Sequence, residues 1–72
     1  MIEIEINTKK EHKTFVKKMT NEKLTKEDRA LLKSFVPKEV MKLTGGEIFS
    51  KVLSGDIFLS TNNKELSFAK RH

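Results

Sequence analysis

The chain has 72 residues, of which 35% are charged, and 15 Lys and Arg against 10 Asp and Glu leave a net charge of +5. This length predicts one small domain, 1–72, and the 36% of hydrophobic residues favours a folded chain over a disordered one. Because there is no cysteine, disulfides and thiolate metal sites are excluded. The two histidines alone cannot complete a zinc site.

The N-terminal pattern favours a cytoplasmic protein, of a cell or of an infected host. No apolar run approaches the roughly 18 residues of a membrane-spanning helix. Residues 2–6 alternate Ile with Glu, where a signal peptide needs a continuous apolar segment. We therefore expect no membrane contact. The bias toward Lys, Ile and Asn is typical of AT-rich genomes, including those of many phages.

The first predicted element is a strand with one apolar and one acidic face. Side chains alternate between the two faces of a strand, so residues 2–6 place three isoleucines together and two glutamates opposite them. The buried face is predicted to carry Ile2, Ile4 and Ile6, and the outer face Glu3 and Glu5.

A basic amphipathic helix is predicted next. Thr8 and Glu11 have the spacing of a capping box, which predicts a helix that begins at Lys9. At 100° per residue, the apolar side carries His12, Phe15, Val16 and Met19. An opposite arc of about 100° carries Lys9, Lys10, Lys13 and Lys17, whereas Lys18 lies outside this arc. His12 is predicted to be a packed structural histidine rather than a general base.

The second helix repeats this design. Thr25 and Asp28 form another capping-box pattern, and the apolar face is made of Leu31, Leu32, Phe35 and Val36. The opposite face carries Lys26, Arg29 and Lys33. Pro37 is expected to end this helix and to serve as the first residue of a short third helix. That helix would turn Val40, Met41 and Leu43 inward and end at Gly45.

Residues 44–55 fit either a helix or an apolar strand. The apolar residues of the segment are Ile48, Phe49, Val52 and Leu53. A helix is favoured because Thr44 and Glu47 form a third capping-box pattern and Gly55 supplies a stop. Backbone N–H groups at residues 44–46 are an alternative anion site. A stop and restart between helices explains these glycines better, since no Lys-Ser or Lys-Thr follows as in a P-loop.

The C-terminal third predicts a β-hairpin. If Asn62 and Asn63 form a two-residue turn, Leu59 faces Leu66 and Ile57 faces Phe68. Phe58 then points to the other face, which also carries Ser60, Ser67 and Ala69. The hairpin and the N-terminal strand are expected to form a small, mostly antiparallel sheet covered by three to four short helices. The predicted class is α+β, with Glu3, Glu5, Ser60, Glu65 and Ser67 on the outer sheet face.

These patterns favour a non-enzymatic binding protein. No catalytic, cofactor-binding or metal-binding pattern is evident, and a chain of this size has little room for a catalytic pocket. The leading hypothesis is a regulatory or accessory protein that binds the phosphate backbone of nucleic acid, DNA or RNA. The predicted contacts are Lys9, Lys10, Lys13, Lys17, Lys26, Arg29 and Lys33.

The alternative hypothesis is an inhibitor or modulator that docks on a larger enzyme. An exposed Phe58 on the hairpin would be a suitable anchor for such a contact. The lysine-rich helix would serve the same role if the partner surface were acidic. A second copy of the chain is a further candidate partner.

Overall fold

The protein is described here by a computed structural model that covers residues 1–63. Its elements in chain order are β1 (Ile2–Glu5), α1 (Lys9–Met19), α2 (Lys26–Phe35), α3 (Lys38–Met41), α4 (Gly45–Ser54) and β2 (Ile57–Ser60). The four helices of this part of the chain therefore separate its two strands, and the class is α+β as predicted.

The sheet formed by the described residues has two parallel strands, so the predicted antiparallel hairpin is wrong. β2 pairs with β1, and Ile4 lies opposite Leu59. Parallel pairing needs a crossover connection of a dozen or more residues, which the four helices supply. The second arm of the predicted hairpin lies outside the described residues, and with it Glu65, Leu66, Ser67, Phe68 and Ala69.

Asn62 and Asn63 join the ends of the two strands instead of forming the predicted turn. The backbone N–H of Asn62 donates to Asn7 Oδ1 at 2.8 Å, and Asn63 Nδ2 donates to the Asn7 carbonyl at 3.0 Å. Asn62 Nδ2 also donates to a carboxylate oxygen of Glu5 at 2.7 Å. Asn favours turns because it accepts positive φ, which is why the sequence predicts a turn at these residues. Here the two residues act through hydrogen bonds to the end of β1.

The core is formed between the sheet and all four helices. The predicted alternation of residues 2–6 is confirmed, since Ile4 and Ile6 are buried, Ile2 packs partly buried against the core, and Glu3 and Glu5 are exposed. Each helix also buries a residue from its predicted apolar face. The buried hydrophobic side chains are Ile4, Ile6, Phe15, Leu32, Val36, Val40, Ile48 and Ile57.

The boundaries of α3 differ from the prediction at two residues. Pro37 occupies the N-cap of α3 rather than its first helical position. Gly45 is the first residue of α4 rather than the end of α3. Residues 45–54 form the favoured helix, which begins with the Thr44 capping box and ends at Gly55 with φ +91°. Glycine suits this end because side chains are strained at positive φ.

Candidate nucleic-acid interface

The start of α1 holds its one acidic side chain, Glu11, in a helix cap. The Glu11 N–H donates to Thr8 Oγ1 at 3.0 Å, and a Glu11 carboxylate oxygen accepts from the backbone N–H of Thr8 at 3.1 Å. The same oxygen accepts from the N–H of Asn7 at 2.9 Å. This reciprocal capping satisfies N–H groups that a helix leaves unbonded at its first turn. Glu11 is therefore held at the start of α1.

The outer side of α1 is lined with lysines. Lys9, Lys10 and Lys13 are exposed, as predicted for the arc opposite Phe15. Thr14 is buried beside Phe15, and its hydroxyl donates to the Lys10 carbonyl at 2.8 Å. Lys18 points elsewhere, because its Nζ reaches the carbonyl of Leu43 at 3.5 Å.

α2 adds a second set of cations beside α1. The two helices pack against each other, so the cations of both can act on one partner. Glu27 is also exposed on α2 and reduces the positive charge there. We define the basic face as the exposed cations of both helices: Lys9, Lys10, Lys13, Lys26, Arg29 and Lys33.

Lys17 belongs to the predicted arc but is held at the contact between the helices. Its Nζ lies 3.7 Å from Asp28 Oδ2 on α2. The Asp28 carboxylate also accepts from the Thr25 N–H at 3.1 Å as part of the capping box. The Thr25 hydrogen bond, and after it the charge of Lys17, lower the pKa of Asp28 below its ordinary value of 3.8. Lys17 is thus half-buried and differs from the exposed lysines.

The end of α1 is joined to the start of α4. Asn21 adopts φ +61° and ends α1 with hydrogen bonds from its own N–H to the Lys18 carbonyl and from the Glu22 N–H to the Lys17 carbonyl. Asn21 Oδ1 accepts from the Gly45 N–H at 3.1 Å. The Thr44 N–H donates to a Glu47 carboxylate oxygen at 2.8 Å. Two of the three amides of the alternative anion site, those of Thr44 and Gly45, are therefore bonded within the protein.

Three aromatic and aliphatic side chains remain exposed on two other elements. Phe58 on β2 is 51% exposed and lies opposite Glu3 in the strand register. On α4, Phe49 is 52% and Leu53 is 72% exposed. The sequence grouped both α4 residues with Ile48 and Val52 as the apolar residues of this helix. The apolar arc of this helix is about 140° wide, so periodicity alone does not show which edge is left outside.

His12 is half-buried on α1, in line with a packed position. Of the residues that the structure describes, no three His, Asp or Glu side chains come together as metal ligands would. Within the same part of the chain, no helix has the length and apolar character needed to cross a membrane.

Comparisons with protein-family models, with curated proteins and with solved structures found no match. Function must therefore be inferred from the charges and contacts of this chain alone.

Proposed function

We propose that the protein binds the phosphate backbone of nucleic acid through the basic face. The observation that carries this proposal is that two helices in contact expose six cationic side chains, with Glu27 as an acidic neighbour. Five of the six are lysines, which attract phosphate as point charges but do not read bases as arginine does. Binding is therefore expected to depend little on sequence, as suits an accessory or regulatory protein in the cytoplasm.

The acidic side of the molecule supports a single binding orientation. Glu3 and Glu5 are exposed on β1, on the face of the sheet opposite Ile4. Phosphates repel this face and attract the helical one. Nucleic acid is thus expected to lie along α1 and α2 rather than across the sheet.

Salt dependence tests this proposal directly. Fluorescence anisotropy with generic oligonucleotides should show binding near about 50 mM salt, and affinity should fall about a thousandfold by about 200 mM if all six cations contribute. Parallel titrations with duplex DNA, single-stranded DNA and RNA identify the preferred form. Absence of binding to all three at the lower salt concentration would overturn the proposal.

A matched pair of variants separates the basic face from overall charge. Lys10→Glu with Lys13→Glu reverses two exposed cations of α1, and we expect it to abolish binding. Lys38→Glu with Lys42→Glu makes the same change in net charge at two exposed lysines of α3 and the residue that follows it. This control should retain most of the affinity. Equal losses would mean that net charge alone, not this face, determines binding. Circular dichroism confirms that both variants fold.

A protein-binding modulator is the second candidate. The half-exposed Phe58 supports it, because exposed aromatic residues are frequent anchors of protein interfaces. In a nuclease-treated extract, this candidate requires that one stoichiometric protein stays bound and that Phe58→Ala releases it. Loss of every bound protein after nuclease treatment would instead support the nucleic-acid proposal.

A further inference from the structure

The outward side of α4 carries an exposed apolar row. Phe49 and Leu53 are four residues apart, so they lie one above the other along the helix. Ile48, on the inward side of α4, is buried in the core. Both exposed side chains are therefore available to a surface outside the domain.

A row of small residues runs beside this apolar row. Gly46, Ser50 and Ser54 repeat at the same four-residue spacing and are all exposed. We define the α4 outer face as Gly46, Phe49, Ser50, Leu53 and Ser54. None of these five residues is charged, and the exposed Glu47 beside Ser50 and Ser54 is held at the start of the helix by the backbone N–H of Thr44.

We propose that the α4 outer face is the contact surface for a second copy of the chain. Ridges formed by residues four apart pack into the grooves of a facing helix at a crossing angle of about −50°. With a two-fold axis, the Phe49 and Leu53 row of one copy lies over the small residues of its partner, and the reverse contact forms at the same time. Large and small rows on one helix thus make the face complementary to itself.

Between two copies, charge favours contact through this face over contact through the basic faces. Each copy carries +5, so contact through the basic faces is repulsive. The α4 outer face can lose its water without burying an ion, whose desolvation would be costly. A ten-residue helix is only about 15 Å long, so the buried area falls below the roughly 800 Å² per partner of a standard interface. The dimer should therefore be weak, with a dissociation constant on the order of 100 μM.

Sedimentation equilibrium of the full chain tests the dimer, and the average mass should rise from 8.3 kDa toward twice that value between about 10 μM and about 1 mM. Phe49→Ser should weaken association about tenfold or more. Phe58→Ser is the matched control, because the two aromatic residues are 52% and 51% exposed. It should leave association unchanged. A monomer at every concentration, or an equal effect of both variants, would overturn the proposal.

Ser50→Leu distinguishes specific packing from general stickiness. The substitution adds apolar surface but fills the row that receives Phe49 and Leu53. We expect association to weaken, whereas a merely hydrophobic patch would associate more strongly and contradict the proposed packing. The exposed position of Ser50 leaves room for the larger side chain in the monomer.

Two further outcomes would assign the contact differently. If added salt dissociates the dimer and Lys10→Glu with Lys13→Glu prevents it, the copies associate head to tail between the basic face and the acidic side of the sheet. If Phe49→Ser instead shifts the NMR signals of residues 64–72 at concentrations where the chain is monomeric, those residues cover the α4 outer face. Either result would overturn the two-fold contact.

Discussion

α1 and α4 are built alike on the inside and differently on the outside. Both begin with a threonine capping box, and each buries one large side chain of the core, Phe15 in α1 and Ile48 in α4. Outward, α1 presents lysines, whereas α4 presents Glu47 in its first turn and otherwise exposes glycine, serine, phenylalanine and leucine. Folding constrains the inner faces through burial and capping. The outer faces are less constrained, so their different residues are where function is best sought.

The two helices also meet end to end. The last carbonyls of α1 lie close to the first residue of α4, and Asn21 links the two termini. The partial negative charge at a helix C-terminus attracts the partial positive charge at an N-terminus. This junction fixes the relative position of the lysine-bearing and apolar outer faces.

Gly45→Ala should break the junction and have the largest effect on stability. A Cβ at this position would lie 2.4 Å from the Met19 carbonyl oxygen and 2.5 Å from that of Lys18, and backbone atoms cannot move aside easily. We expect a loss of about 3 kcal/mol in the free energy of unfolding. Gly46→Ala is the control, since no atom lies within 4 Å of its added Cβ. It should stabilise by up to about 1 kcal/mol because alanine favours helix. Urea unfolding, monitored by circular dichroism, measures the free energy of unfolding of both variants. If Gly45→Ala and Gly46→Ala changed the free energy of unfolding equally, Gly45 would not lie against the carbonyl oxygens of α1.

Substitutions of Asn21 should divide the same junction into two contributions. Asn21→Gly keeps the positive φ but removes the acceptor of the Gly45 N–H, so we expect a loss of about 1 kcal/mol. Asn21→Ala removes the same acceptor and leaves a β-carbon in the left-handed region without the polar side chain that lets asparagine tolerate it, so its loss should be about 2 kcal/mol. The measure is again urea unfolding. If glycine were as harmful as alanine, backbone conformation would not contribute.

Lys17→Glu should sharpen the distinction within α1 between the half-buried lysine and the exposed ones. The new carboxylate would face Asp28, so repulsion replaces an attraction and the thermal unfolding midpoint should fall. Lys13→Glu makes the same charge change at an exposed position and should leave the midpoint nearly unchanged. For oligonucleotide binding we expect the reverse order of effects. A larger loss of stability for Lys13→Glu would contradict the contact between Lys17 and Asp28.

Local patterns predicted the helices well. The three capping boxes at Thr8, Thr25 and Thr44 all form as predicted. Each depends on residues three apart, whose geometry is determined as soon as one helical turn exists. The alternation of residues 2–6 likewise predicted the side of the chain that faces the core, where Ile4 and Ile6 are buried and Ile2 is partly buried. Whether the basic face binds nucleic acid stays a prediction.

Contacts between distant segments were not predictable in this way. The hairpin register rested on residues 57–68 alone, whereas β2 pairs with β1 across more than fifty residues. Apolar alternation shows which face of a strand is buried but not which strand lies beside it. The role of Gly45 also depends on a distant segment. Its neighbours in sequence suggest only a helix end, and nothing near it reveals the carbonyls of α1 that lie beside it. The apolar pattern of α4 did not show that Phe49 and Leu53 stay exposed, because the apolar arc is wider than the surface that covers it.

A pH dependence should give the smallest effect and isolate the Asp28 contact. Because the pKa of Asp28 is lowered in the folded protein, its carboxylate stabilises the fold above its ordinary value of 3.8, and this contribution disappears as pH falls through the lowered pKa. Asp28→Asn cannot ionise, so it should unfold at a lower temperature than the native chain at neutral pH. The difference should shrink below pH 3.8 as the native carboxyl becomes protonated. Thermal unfolding across this range measures it. A difference that stays constant with pH would mean that the carboxylate charge does not stabilise the start of α2 or its contact with Lys17.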